Sequence, residues 1–288
     1  MAVSSVRHEL TIQTPEGPRR MAWQQWQSGD HAEQPLILCV HGLTRNSHDF
    51  DTLARQLARH GRVICPDILG RGDSECLANA ALYGYPMYIS QMQQFLGHLY
   101  QHYHCSGCFW VGTSMGGLIG MMLAAMPGGY GIQRLVLNDV GPFIPYAALQ
   151  RIADYVGRPP LFADLHEAEQ YLRRIAASFG PLTDEQWRHL AVCGTEKSGD
   201  MLRLRYDPAI SDGFALVTGD IDLSLTWQAV TCPVLVIRGA ESDLLLPETA
   251  RAMLQRADTQ LVEFPGVGHA PMLMARDQIR AVEHFLYD

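Results

Sequence analysis

Ser114 sits in the run Trp110-Val-Gly-Thr-Ser-Met-Gly-Gly117, where a short apolar stretch leads into a serine with glycine two residues to either side. A serine hydroxyl attacks carbonyl carbon only if a base takes its proton as the new bond forms. For that it must stand clear of its own backbone, on a sharp strand-to-helix bend. Such a bend crowds the chain so closely that Cβ atoms two residues away would collide, and Gly112 and Gly116 carry none. The helix predicted to start at Met115 aims its amide-rich end at the serine, where the negative charge of an acyl-transfer intermediate would build up. The base and its orienting acid must come from elsewhere in the chain. His269 ends a Gly266-Val-Gly-His loop, and Asp243, Glu241 and Asp139 each follow an apolar run.

These side chains need a frame. Residues 8–14 and 20–26, parted by Thr14-Pro-Glu-Gly-Pro18, read as an edge hairpin. Apolar runs then predict strands near 36–40, 62–66, 108–112, 134–138, 233–238 and 260–264. Helical spacing predicts helices near 48–59, 88–103, 115–125, 247–256 and 276–286. Continuous apolar strands alternating with helices imply an α/β fold, with a mostly parallel central sheet flanked by helices. Right-handed crossovers bring the C-terminal ends of such strands to one edge, where ligands bind. Ser114, His269 and the candidate aspartates all fall just past those ends. The alternation breaks between Val140 and Leu225, where helical periodicity (147–155, 163–178, 184–193) is closed off by Pro159-Pro160, Gly180-Pro181 and Gly194, with no convincing strand. The chain therefore divides into a first core part (1–140), a helical insertion (141–225) and a second core part (226–288).

Four motifs in order carry a resemblance to the α/β-hydrolase superfamily: His41-Gly-Leu43 after Leu36–Val40, Asp67-Ile-Leu-Gly-Arg-Gly-Asp-Ser74 after a strand, the Ser114 elbow, and the acidic and histidine loops near the C-terminus. The resemblance covers most of the chain and implies a serine hydrolase with a helical cap. It makes Ser114 the nucleophile, His269 the base and Asp243 the acid, with Asp139 as an open alternative because some relatives carry the acid there. It implies an oxyanion hole made by the Leu43 and Met115 amides, and no metal or organic cofactor. Asp67 is expected to hold its glycine turn, and His41 to support the oxyanion loop. The expected reaction is cleavage of a small to medium carboxylic ester, lactone or thioester. Hydrolysis of a carbon–carbon bond in a ring-cleavage product, cofactor-free perhydrolysis, acyl transfer and a non-catalytic receptor share the fold. A serine rather than an aspartate nucleophile argues against the dehalogenase and epoxide hydrolase branches.

Composition narrows the partners. A net charge of −8, with no run of like charge, speaks against a nucleic-acid surface and leaves a small-molecule substrate. No stretch approaches the length of a membrane span. The first residues lack the apolar core of a secretory signal, and the seven cysteines are odd in number, with Cys39, Cys65, Cys108 and Cys232 on or beside predicted strands. The expected setting is cytoplasmic, with reduced core thiols. Composition sets no oligomeric state. Cys105-Ser-Gly-Cys108 with His102 and His104 invites a metal reading, but lacks a second cysteine pair. Met121, Met122 and Met126 read as core packing. Trp187, Tyr206 and Phe214 either line a pocket or bury the insertion. Arg45, Arg203 and Arg205 offer charge to an acidic substrate, although such arginines read first as solvated surface.

Overall fold

The computed structural model describes residues 3–29 and 36–288, with the side chains of 214–216, Phe214 among them, outside that description. The predicted hairpin is β1 (Ser4–Thr14) and β2 (Gly17–Gln27), paired in register from Thr14 opposite Gly17 to Ser4 opposite Gln27. The apolar runs become β3 (Leu36–Val40), β4 (Val63–Pro66), β5 (Cys108–Thr113) and β6 (Ile132–Asn138). Within the later insertion lie β7 (Phe143–Ile144), β8 (Thr195–Ser198), β9 (Met201–Leu204) and β10 (Ile221–Asp222). β11 (Val234–Gly239) and β12 (Thr259–Phe264) complete the main sheet. Its order is β1-β2-β4-β3-β5-β6-β11-β12. β2 runs antiparallel to β1 and β4, and every other pairing is parallel.

The middle of the sheet, β3, β4, β5, β6 and β11, is buried on both faces because these strands carry apolar residues at consecutive positions, and the pleat sends alternate residues to opposite sides. Leu36, Leu38 and Val40 share one core with Trp110, Leu135 and Leu137, while Ile37 and Cys39 join Val111, Val136 and Ile237 in the other. The first core is closed by α2 (Tyr85–Tyr103) and α3 (Met115–Ala124), through Phe95, Leu99, Leu118 and Ile119. The second is closed by α1 (Asp51–Leu57) and α9 (Arg276–Tyr287), through Leu53, Leu57, Val282 and Phe285. Each fully buried aliphatic side chain contributes about 1.5–3 kcal/mol.

Between β6 and β11 the chain leaves the sheet for α4 (Tyr146–Ala153), α5 (Leu165–Ile175), α6 (Asp184–Gly194) and α7 (Ser224–Ala229), before α8 (Pro247–Met253) rejoins the core. This stretch is not wholly helical: β8 and β9 form a hairpin and β7 pairs with β10. Thr-Glu-Lys-Ser and Met-Leu-Arg-Leu are too short and too polar to register as strands by periodicity. The usable signal was the Gly199-Asp200 turn between them, with Gly199 at φ +62°. The α6 N-terminus carries a capping box, with Thr183 and Gln186 each taking the other's backbone N–H. No described helix is long and apolar enough to cross a membrane.

Candidate active site

The bend at Ser114 has the tightness its glycines predicted. Ser114 adopts φ 52° and ψ −114°, a strained conformation for a residue with a side chain, pinned by its N–H donating to Asn138 O at 3.0 Å. A Cβ on Gly116 would lie 2.0 Å from the Val40 carbonyl oxygen, and one on Gly112 would lie 2.4 Å from the Gly116 carbonyl. β5 and α3 therefore approach each other as closely as bare backbone allows. Trp110 Nε1–H ties them by donating to Gly116 O at 3.0 Å.

Across from the serine, Ser114 Oγ–H donates to His269 Nε2 at 3.0 Å, and His269 Nδ1–H donates to a carboxylate at 2.7 Å. That carboxylate is Asp139, not Asp243. Asp139 is fully buried at the end of β6; its Oδ2 also accepts from Ser242 Oγ–H at 2.6 Å, and its Oδ1 accepts from Gly239 N–H at 2.8 Å. Three donors thus fix the orientation of a carboxylate shut away from water. Asp243 is turned away, holding Arg151 through Nε (2.5 Å) and Nη2 (2.8 Å) with half of its side chain in solvent. The ends of β6 and β11 are neighbours in the sheet, so both aspartates start beside His269. Arg151, arriving from α4, draws Asp243 outward, and Ser242 caps Asp139 instead. Glu241 is exposed.

The loop after β3 is held by two side chains. His41 is fully buried, donating from Nδ1 to Gly42 O (2.7 Å) and accepting the Ile68 N–H on Nε2 (3.0 Å). Burial lowers its pKa, which suits the neutral ring that this pairing requires. Arg71, 1% exposed, donates from Nε to Leu43 O at 2.8 Å and from Nη1 to Leu69 O at 2.8 Å, and its Nη2 reaches Tyr88 Oη. Sequence reasoning gave Arg71 no role beyond a place in the turn motif. In the structure it fixes the carbonyl of Leu43, whose N–H, like that of Met115, has no protein acceptor among the described residues. Asp67 holds its turn as expected, accepting from the Ser47 and Asp73 amides, and Ser74 Oγ–H returns to Asp67 O.

Two cavities meet at Ser114. One, about 300 Å³, is apolar, with Leu118, Met122, Ile144 and Leu223 in its wall; Met122 thus faces the cavity rather than the core. The other, about 90 Å³, is lined by His269, Arg45, Arg151 and Tyr155. Arg45 is not a surface residue: it sits in this wall with Nε and Nη2 on Asp49 at 3.0 and 2.6 Å. Arg203 and Arg205 pair instead with Glu196 and Asp73. Trp187 and Tyr206 are buried and line neither cavity, so they pack the insertion. The insertion also reaches the histidine loop, through Ser178 Oγ–H donating to His269 O and Gly268 N–H to Ser178 O, both at 2.7 Å.

Among the described residues, one side-chain group has cation-holding spacing, and it is not Cys105–Cys108. His48, Asp51 and Cys193 bring ligand atoms within 4.8 Å of one another where α6 meets α1. Cys108 is instead buried in β5, accepting from Tyr100 Oη. Burial pushes the Cys193 thiol up, but His189 and His48 beside it outweigh burial and bring its pKa to about 7. The pKa of Cys76 is raised by partial desolvation and by Asp207. Alkylation by iodoacetamide, followed by peptide mass spectrometry across pH, should show Cys193 reacting with a midpoint near 7 and Cys76 only in alkali. A Cys193 midpoint at or above 9 would contradict this arrangement.

The model of the alpha/beta hydrolase family matches residues 37–282. A 3-hydroxybutyrate-oligomer hydrolase from Cupriavidus necator is 43% identical over 283 residues, covering 94% of each chain. Two solved structures align over 99% of both chains at 33% identity: an alpha/beta hydrolase from Novosphingobium aromaticivorans, with a TM-score of 0.88, and a hydrolase from Rickettsia typhi, with a TM-score of 0.85.

Proposed function

Since the chain belongs to the alpha/beta hydrolase family, we propose that it cleaves short oligoesters of 3-hydroxy acids through an acyl-enzyme on Ser114. The observation that carries this reading is the unbroken chain of hydrogen bonds from Ser114 Oγ through His269 to Asp139. In the proposed mechanism the Oγ–carbonyl carbon bond forms as His269 Nε2 takes the hydroxyl proton. The imidazolium, held in one tautomer by Asp139, then gives that proton to the departing alkoxide as the ester C–O bond breaks. Water repeats the sequence and releases the acid. The Leu43 and Met115 amides would receive the oxyanion, each contributing about 3 kcal/mol. The inserted segment 141–225 serves as the cap, and its Ile152 and Leu223 wall the cavities above the serine.

The substrate class is supported by the name of the Cupriavidus relative and by the apolar cavity, which suits an aliphatic acyl chain. The expected result is release of 3-hydroxybutyrate from its linear dimer by purified protein, lowered by at least about 10⁴-fold in Ser114→Ala. Turnover that survives Ser114→Ala would refute the assignment.

A further inference from the structure

The two cavities differ in what they can hold, and His269 lines only the smaller. The alcohol that leaves takes its proton from His269, so its oxygen must face that smaller cavity, with the acyl chain in the apolar one. A cavity of about 90 Å³ suits one small unit. Two guanidinium groups stand in its wall. A Cβ built on Gly42 would lie 3.9 Å from Arg45 Cγ and 3.9 Å from Ser114 Cβ, so the two side chains flank the same glycine. Arg45 is fixed by Asp49 through Nε and Nη2, and Arg151 is fixed by Asp243 through the same two nitrogens. The Nη1 of Arg45 makes no hydrogen bond to protein among the described residues, and Arg151 stands beside Tyr155 in the same wall. Each acid holds its arginine in place at the edge of the cavity.

We infer that this pair is a subsite for the free carboxylate of the departing hydroxy acid, an inference that rests on the ester-cleaving reading of the site. In a 3-hydroxy acid the carboxylate is tethered to the carbinol carbon by one methylene. An ester oxygen at His269 therefore puts a terminal carboxylate within the same small cavity, where arginine N–H groups suit it. An internal unit has a neutral ester at that point and does not match the charge of the two arginines. The enzyme so built removes one unit at a time from the carboxylate end. Arg45 and Arg151 choose the bond and take no part in the proton transfers.

Two measurements test this. With the linear tetramer, the first products should be monomer and trimer, the monomer coming from the carboxylate end; dimer as the first product would overturn the subsite. With the dimer, wild-type kcat/KM should favour the free acid over its methyl ester, and Arg151→Gln should cut that ratio by about tenfold, mainly through KM, with Arg151→Lys recovering part of it. An unchanged ratio in Arg151→Gln would overturn the role of Arg151 while leaving ester cleavage intact. A wild-type protein inert on every one of these esters would instead overturn the ester-cleaving reading, and the subsite with it.

Discussion

Asp139→Asn should lower kcat by about 10⁴-fold, whereas Asp243→Asn should leave kcat within about threefold. The difference comes from hydrogen-bond direction. Asp139 accepts three times, from His269 Nδ1–H, Ser242 Oγ–H and Gly239 N–H. An asparagine in its place has one acceptor oxygen and an NH₂ group that can only donate. The Gly239 amide is fixed in β11 and claims the oxygen, which turns the NH₂ toward His269. The ring then has to present a lone pair on Nδ1 and carry its proton on Nε2, so it can no longer accept from Ser114. Size and fold are preserved while the tautomer is wrong. Asp243 spends both oxygens on Arg151, so its amide variant alters substrate affinity before it alters proton transfer. Steady-state kinetics on a p-nitrophenyl ester, with thermal unfolding as the check on folding, separates the two carboxylates. A large loss in Asp243→Asn with Asp139→Asn near normal would reverse the assignment.

The second large effect falls on stability. Gly116→Ala brings a methyl group within 2.0 Å of Val40 O, 2.6 Å of Val40 C and 2.9 Å of His41 O. All three are backbone atoms at the end of β3, so no side chain can rotate to relieve the overlap, and α3 must move off the sheet. The expected cost is at least about 3 kcal/mol, a large share of a domain stability of about 5–15 kcal/mol. The same displacement would part the Leu43 and Met115 amides. Gly97→Ala is the matched control: Gly97 lies exposed in α2 with nothing within 4 Å of a new Cβ, so alanine there should stabilise by about 0.5–1 kcal/mol. Denaturant unfolding of the two variants reads both signs. A Gly116→Ala protein as stable as wild type would show that the elbow is looser than described.

The framework could be read from the chain because each signal was local. Leu36–Val40 and Val234–Ile237 are apolar at every position, which only a strand buried on both faces requires. Ser114 announced itself through Gly112 and Gly116, and the contacts that need those glycines are present. The carboxylate could not be settled the same way. Asp139 and Asp243 have the same side chain and follow adjacent strands, and what separates them is Arg151, 92 residues from Asp243 and brought to it by α4. Arg45 and Arg71 were hidden for the same reason. A charged residue in a loop looks solvated until the fold closes over it, and here Arg71 ends fully enclosed, beneath the rings of Tyr83 and Tyr88. The β8–β9 hairpin was missed because four-residue strands give periodicity too little to register.

The central claim is that the Ser114 hydroxyl is made nucleophilic by His269. Reaction with diethyl p-nitrophenyl phosphate tests it most directly, because the phosphoryl adduct on an activated serine is stable enough for peptide mass spectrometry. The expected result is one equivalent of p-nitrophenol released per chain, with the diethylphosphoryl group on the peptide that carries Ser114, and labelling slowed by orders of magnitude in His269→Ala. Label found on another residue, or labelling of Ser114 at the same rate without the imidazole, would contradict the account.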